Sequence, residues 1–303
     1  MARQLTQIAY DQTFDRPITV CLGFFDSLHV GHVGLIRKAQ LLAYKYDCRS
    51  SVFTFDNNPF RFLGKDSLQV LTYPERLYRL QNLGLDVVIK ATFDQSFADM
   101  APQDFLERLI EGKNIKAIVV GSDYTYGKGA QGNVDSLRNF CIIHDIELAV
   151  EDMRLLPGGN KVSSRYLRKL VERADLKEIA TQLATPYFVL GKVVHGRADG
   201  AKIGFKTANI EYPTDKTRLP QGVYETLVSI DGISLKAVTN VGAHPTFGDD
   251  AYNVEAHIIG LSSDLYDKLI VVEFVSKIRD IRKFDDKEQL SEQIKKDIEY
   301  VLR

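Results

Sequence analysis

Cysteine is scarce in this chain. Cys21, Cys48 and Cys141 are scattered through 303 residues and odd in number, which fits neither a disulfide framework nor a thiolate metal cluster. An excess of one charge is missing too. Thirty-nine basic residues against forty acidic ones leave a formal charge of −1, so neither nucleic acid nor an anionic membrane surface is an expected partner. The apolar runs are far too short to cross a bilayer. The first twenty residues carry charges throughout, so no signal peptide is expected, and a reducing, cytoplasmic setting is the simplest reading. No internal repeat and no low-complexity segment is present. What is there, 45% hydrophobic and 26% charged residues, is an ordinary globular composition with length enough for two domains.

The two halves have different rhythms. Up to about residue 150, strand-like runs at 18–22, 51–55, 86–91, 117–121 and 147–150 alternate with helical spacing. Leu35, Ile36, Ala39, Leu42, Ala43 and Tyr46 mark one helix face. Leu77, Leu80 and Leu83 mark a second, stopped by Gly84. Phe105, Leu106, Leu109 and Ile110 mark a third, between Pro102 and Gly112. Such alternation predicts an α/β fold, an open, doubly wound parallel sheet covered on both faces, with ligands at the carboxyl ends of its strands. Residues 163–184 read as two short helices broken near 174–175. The domain boundary is expected after them, giving 1–185 and 186–303. The second part carries short strand-like runs at 188–195, 208–212, 223–230, 234–241, 253–259 and 269–274. A helix follows Asp286 with Leu290, Ile294, Ile298 and Val301. This predicts a small β-barrel of about 120 residues with a terminal helix.

The most informative stretch is residues 23–32, from Gly23 to His32. A buried strand runs into a tight turn, and His29 and His32 open a helix. The spacing aims two imidazoles and the free N–H groups of a helix start at one spot, where a phosphate chain fits. Gly31 between them allows close approach to the backbone. On spacing alone, a pair of histidines that merely caps the helix is an equal reading. Zinc requires a third ligand that nothing nearby supplies. Two more segments point to phosphate. The strand ending at Gly121 enters a turn at the same sheet edge, and Ser163 and Ser164 open a helix with Arg168 one turn on. Hydroxyls donate to phosphate oxygens and an arginine clamps a pyrophosphate. In the second half, the Gly-rich stretch 196–204 lacks the spacing of a Walker loop, and as a bare pattern Gly204 to Asn209 reads as a turn. Glu255, taken alone, is an outward-facing strand residue in an ion pair.

With these residues in view, the chain resembles the bacterial bifunctional riboflavin kinase/FMN adenylyltransferase (FAD synthetase) family, nearly end to end. His29-Val-Gly-His32 matches the H-x-G-H signature of nucleotidyltransferases, Gly121 to Gly127 a G-x-D-[FY]-x-[FY]-G turn, and Ser163 to Arg168 a helix start of the S-S-T-x-[IL]-R type. The resemblance implies a nucleotidyltransferase domain followed by a riboflavin kinase barrel. It also implies ATP as co-substrate, Mg²⁺ as cofactor, and riboflavin and FMN as the other small-molecule substrates. In the first reaction site it implies that His29, His32 and Arg168 are catalytic, and that Gly23, Phe25, Asp26, Gly31, Asp123, Tyr126, Ser163 and Ser164 bind ATP. In the second, Gly204, Lys206, Thr207 and Asn209 bind ATP, with Thr207 and Asn209 on Mg²⁺. Glu255 is the general base, and Arg279 and Phe284 touch the flavin. Stretches 219–224, 240–247, 264–266 and 278–284 match as well.

Several positions depart from the family pattern. Phe24 stands where Asn or Tyr is usual, Ser27 where Gly is, Asn58 where His is, Arg165 where Thr is, and His244 where Arg is. Lys206 replaces a proline, so the loop gains a torsion and a charge. Residues 183–185 read Leu-Ala-Thr instead of Leu-Gly-Arg. These departures motivate two other readings: a paralogue with one activity, or a catalytically decayed flavin-binding regulatory protein. Supplying riboflavin and FMN separately discriminates them.

Overall fold

The computed structural model describes residues 4–65, 67–152, 162–195, 205–243, 252–261 and 263–303. The chain divides into two compact units, Met1–Ser164 and Arg165–Arg303.

The first unit contains β1 (Thr6–Ala9), β2 (Phe14–Leu22), α1 (Val30–Lys45), β3 (Arg49–Phe55), α2 (Pro59–Phe62), α3 (Tyr73–Asn82), β4 (Val87–Ala91), α4 (Gln95–Ala98), α5 (Pro102–Ile110), β5 (Lys113–Gly121), α6 (Val134–Ile143) and β6 (Glu147–Glu151). Its six strands pair in parallel in the order β1-β4-β3-β2-β5-β6. Every residue of the run 18–22 is buried, as a central strand covered on both faces requires. Ile18, Val20 and Leu22 face the layer of α5 and α6, packing with Phe105, Leu109 and Phe140. Thr19 points the other way and donates from Oγ1 to the Ala39 carbonyl of α1 at 2.9 Å. The chain builds β3, β4 and β1 to one side of β2 and β5 and β6 to the other. The strand order therefore reverses between β2 and β5, and a crevice opens at their carboxyl ends. The two turns singled out in the sequence lie at those ends.

The second unit contains α7 (Ser164–Glu172, whose first residue closes unit one), α8 (Leu176–Leu183), β7 (Tyr187–Lys192), β8 (Ala208–Glu211), β9 (Gly222–Ile230), β10 (Ile233–Ala243), β11 (Tyr252–Ile258), β12 (Leu269–Arg279) and α9 (Lys287–Leu302). Six antiparallel strands run in the order β7-β12-β9-β10-β11-β8. Val194 donates to the Asn209 carbonyl at 2.8 Å, and this bridge nearly closes the sheet into a barrel. Val301 of α9 packs on Val223 and Val238 outside the barrel. α8 lies against β7 and β12, so this helix packs with the barrel although the barrel's first strand begins only at Tyr187.

Four differences from the sequence reading have physical causes. The buried face of α3 is Glu75, Arg76, Arg79 and Leu80, not the leucine stripe: Leu77 and Leu83 are only half-buried, because the Arg76 guanidinium reaches the Phe24 and Phe55 carbonyls beneath the helix. β1 opens on two exposed polar residues, Thr6 and Gln7, as an edge strand can, and α6 is a further helix beyond those that apolar spacing predicts, although Asn133 and Ser136 form a capping box at its start. β12 continues past 274 to Arg279 through two irregularities of register, so polar residues enter the strand.

Candidate active sites

The turn after β2 is strained and well braced. Phe25 and Leu28 adopt left-handed backbone with φ of 55° and 47°, which costs about 1–3 kcal/mol for each residue. Both side chains are buried, and that burial helps to hold them there. Fully buried Arg76 donates to the Phe24 carbonyl and to Thr54 Oγ1, both at 2.8 Å, and through its other nitrogen to the Phe55 carbonyl at 2.8 Å. Asp26 accepts from the Val70 N–H at 3.0 Å, so its carboxylate braces the neighbouring segment. At Gly23 a Cβ would lie 2.8 Å from the Phe25 ring, and only glycine leaves that ring its place.

His29 is the N-cap of α1, and its Nδ1 accepts from the His32 backbone N–H at 3.2 Å. In the neutral ring the proton therefore sits on Nε2. The His32 ring stacks on it, centroids 3.7 Å apart at 13°. Burial first, and His29 second, hold the His32 pKa well below the ordinary 6.5; with like charges this close, both rings cannot be protonated at neutral pH. His32 Nδ1 is itself buried without a hydrogen-bond partner. Above Gly31 a Cβ would meet His29 Cε1 at 3.1 Å, so the glycine makes room for the imidazole. The capping reading and the phosphate reading are compatible: one nitrogen of His29 caps the helix while the other carries a proton.

On the far side of the crevice, the turn after β5 exposes Asp123 and buries Tyr126, whose hydroxyl lies 2.9 Å from Ser136 Oγ. Gly127 has φ 72° and presses on Pro102. Between the two turns is a cavity of about 650 Å³, lined by Gly23, Phe55, Phe60, Phe93, Tyr124 and Thr125 among others. Its aromatic walls brace one another edge to face, as Phe55 does with Phe93 at 5.2 Å and with Phe97 at 4.9 Å. Apolar and aromatic, with few polar groups, it suits a flat heteroaromatic ligand. Ser27, fully buried, brings its Oγ to 3.1 Å from Ser164 Oγ. Ser163 is half-buried beside it. Arg168, also half-buried, follows one turn along α7.

In the barrel, Glu255 of β11 stands directly opposite Asn209 of β8. Asn209 Nδ2 approaches Thr207 Oγ1 at 3.3 Å, and its Oδ1 accepts from Asn253 at 3.2 Å. One cavity of about 320 Å³ is lined by Thr207, Asn240, Glu255, Arg279, Phe284 and Ile294, among others. A second, of about 260 Å³, is lined by Lys206, Thr207, Asn209, Asp264 and Tyr266, among others. Thr207 borders both. Arg279 is engaged: it grips buried Asp297 of α9, with Nη2 at 2.8 Å and Nε at 3.1 and 3.2 Å from the carboxylate oxygens. Its guanidinium also sits 5.8 Å from the Phe284 ring centroid. The structure thus gathers Thr207, Asn209, Glu255, Arg279 and Phe284 around adjoining cavities, whereas Gly204, the loop 196–204 and the stretch 244–247 lie outside the described residues.

Sequence reasoning missed Arg76, Asp297 and the aromatic cage. Arg76 sits in a helix that reads as an ordinary amphipathic one, and Asp297 looks like a solvated helix residue. The phenylalanines are dispersed from 53 to 105 and converge only in space. Asn58, where a histidine is usual in the resemblance, caps α2 through Oδ1 to the Phe60 N–H at 3.0 Å and donates to the Ser67 carbonyl at 2.7 Å.

Comparison with known proteins follows the same division. The FAD synthetase family profile matches residues 11–166, and the riboflavin kinase family profile matches residues 183–303. A bifunctional riboflavin kinase/FMN adenylyltransferase from Bacillus subtilis (strain 168) is 30% identical over 295 residues, covering 94% of this chain and 91% of the relative. One from Haemophilus influenzae is 31% identical over 283 residues, covering 92% and 91%. A crystal structure described as a macrolide-efflux protein from Streptococcus pneumoniae superposes with a TM-score of 0.84 at 30% identity, covering 98% of this chain and 99% of that one.

Proposed function

This chain belongs to the bifunctional riboflavin kinase/FMN adenylyltransferase family, and from that membership we propose which of its residues carry the two reactions. It is an ATP-using enzyme of FAD biosynthesis that phosphorylates riboflavin to FMN and adenylylates FMN to FAD. We assign residues 1–185 to adenylyl transfer and 186–303 to the kinase, with support from the two profile matches. Among the described residues no helix is long and apolar enough to cross a membrane. We place the enzyme in the cytoplasm, acting on small molecules, with nucleic acid disfavoured by the net charge of −1.

In adenylyl transfer an FMN phosphate oxygen attacks the α-phosphorus of ATP, the new P–O bond forms as the bond to the β-phosphate breaks, and pyrophosphate leaves. No side chain becomes a covalent nucleophile, so alignment and charge stabilisation carry the rate. The observation that carries the assignment is the stacked pair His29–His32 at the switch point, beside an aromatic cavity of about 650 Å³. The flavin ring occupies that cavity. His29 donates from Nε2 to a reacting phosphate oxygen, and His32 does so from its side of the stack. The backbone of Gly23, Phe25 and Gly31 borders the phosphates, and Asp26 keeps the turn in shape. Asp123 and Tyr126 line that same cavity, and we assign them to the end of it where the nucleotide meets the flavin. Ser163, Ser164 and Arg168 hold the departing pyrophosphate.

In the kinase, Glu255 accepts the 5′-hydroxyl proton of riboflavin as that oxygen attacks the γ-phosphorus of ATP and ADP leaves. The flavin lies under α9 against Phe284, with Arg279 fixing the roof. ATP enters from the cavity of Lys206 and Tyr266, and Gly204, outside the described residues, is assigned to ATP on family membership alone. Thr207 Oγ1 and Asn209 Oδ1 are hard oxygens of the kind Mg²⁺ takes together with phosphates. Buried Asn253 Oδ1, next to Asn209, has no hydrogen-bond partner, which fits a polar cluster completed by a bound cation and its waters. Held by these oxygens, Mg²⁺ would supply charge neutralisation on the ATP phosphates. The test is incubation of the purified protein with riboflavin, ATP and Mg²⁺ followed by chromatography of the flavins. FMN and then FAD are expected, and absence of both rejects the assignment.

A further inference from the structure

The oxygens assigned to Mg²⁺ and ATP in the barrel sit where backbone pairing runs out. β8 pairs with β11 from Glu211↔Asn253 to Ala208↔Ala256, and the ladder ends at Ala208. Residues 205–207, which lead into Thr207, form no strand. At this point a side chain of β11 reaches across: His257 Nδ1 lies 2.8 Å from the Lys206 carbonyl oxygen. A carbonyl only accepts, so Nδ1 carries the proton and donates it. The ring also packs edge to face on Phe205, centroids 5.3 Å apart at 84°. His257 therefore touches two consecutive residues before Thr207. It lines the same cavity as Glu255 and Thr207, two positions along β11 and on the same side of the strand. Lysine at 206 keeps a free backbone torsion that a proline would have fixed, so the loop depends on contacts of this kind for its shape.

We propose that His257 is a positioning residue for phosphoryl transfer: its Nδ1–H holds the Lys206 carbonyl and thereby sets Thr207 between the ATP cavity and the flavin cavity. The inference rests on the kinase assignment. Its chemistry is specific, because it requires a donor at the Nδ1 position and nothing more from the imidazole. Asparagine places an amide N–H near that position, whereas the near-isosteric aspartate places an acceptor there and repels the carbonyl.

The experiment compares His257→Asn, His257→Asp and His257→Ala in the full-length chain, with folding followed by circular dichroism. Riboflavin phosphorylation at saturating ATP and Mg²⁺ should fall about ten- to a hundredfold in the Asp and Ala variants, the scale of a small misplacement of reacting groups. The Asn variant should stay within about threefold of wild type. The loss should appear in kcat more than in KM for riboflavin, and FAD formation from supplied FMN should be unchanged in all three. Equal activity of the Asn and Asp variants, whether both active or both inactive, overturns the proposal. So does a loss confined to KM for riboflavin, which would make His257 a flavin contact. A wild-type protein that phosphorylates no riboflavin would reject the kinase assignment itself, a distinct result.

Discussion

His29 and His32 stack face to face with centroids 3.7 Å apart, while His29 Nδ1 caps the helix that carries His32. One residue therefore holds the local fold with one nitrogen and presents a proton on the other. The two roles are separable. Asparagine is among the best N-caps, so His29→Asn should keep stability within a few tenths of a kcal/mol, whereas His29→Ala should lose about 1 kcal/mol. Both should lose FAD formation. Urea denaturation of the two variants, set beside FMN turnover, checks this. An Asn variant that still makes FAD at a near wild-type rate contradicts the phosphate role.

The pair also predicts how stability depends on pH. Burial, then His29, hold His32 well below the ordinary 6.5. The folded chain leaves this ring neutral where the unfolded chain protonates it. Its contribution is complete above about pH 6.5 and is lost as pH falls below that value. His32→Gln removes the titration, so its stability should fall less steeply than wild type between about pH 7 and pH 5. Denaturant melts across that range decide it, and parallel curves would contradict the burial argument.

Phe60 offers a clean probe of the aromatic cavity because it is 42% exposed and its ring meets Phe24 at 6.0 Å. Phe60→Ala should leave the melting temperature nearly unchanged and raise KM for FMN about tenfold, the equivalent of ~1.4 kcal/mol. Riboflavin phosphorylation should not change. An unaltered KM for FMN would move the flavin elsewhere.

Asp297 is 2% exposed and accepts from both Arg279 and Gln293. Removing one partner of such a buried pair strands a charge, at about 3–5 kcal/mol. Asp297→Ala should therefore destabilise the barrel and cut FMN formation, while FAD formation from supplied FMN persists. Following both activities on one preparation checks the split.

The parts legible in the sequence were those with local signals. The run 18–22 is apolar on both faces because β2 is central, and His29, Gly31 and His32 announce a helix start at a strand end. Thr207, Asn209 and Glu255 stand out by motif. Their proximity is a matter of register between β8 and β11, which no local pattern encodes. The buried face of α3 escaped because Arg76 satisfies carbonyls contributed by β3 and the turn after β2. The aromatic cavity escaped because its phenylalanines come from several elements. Ser27 reads as a departure in the sequence. In the fold its hydroxyl meets Ser164 at 3.1 Å, a contact available only once the turn after β2 meets the start of α7.

Two separate sites carry the two consecutive reactions, and paired variants separate them. His29→Asn and Glu255→Gln are each supplied with riboflavin and, separately, with FMN, in the presence of ATP and Mg²⁺, and the flavins are separated by chromatography. The first variant should stop at FMN from riboflavin, and the second should make nothing from riboflavin yet still convert FMN to FAD. Loss of both conversions in either variant, with the protein folded, would contradict it.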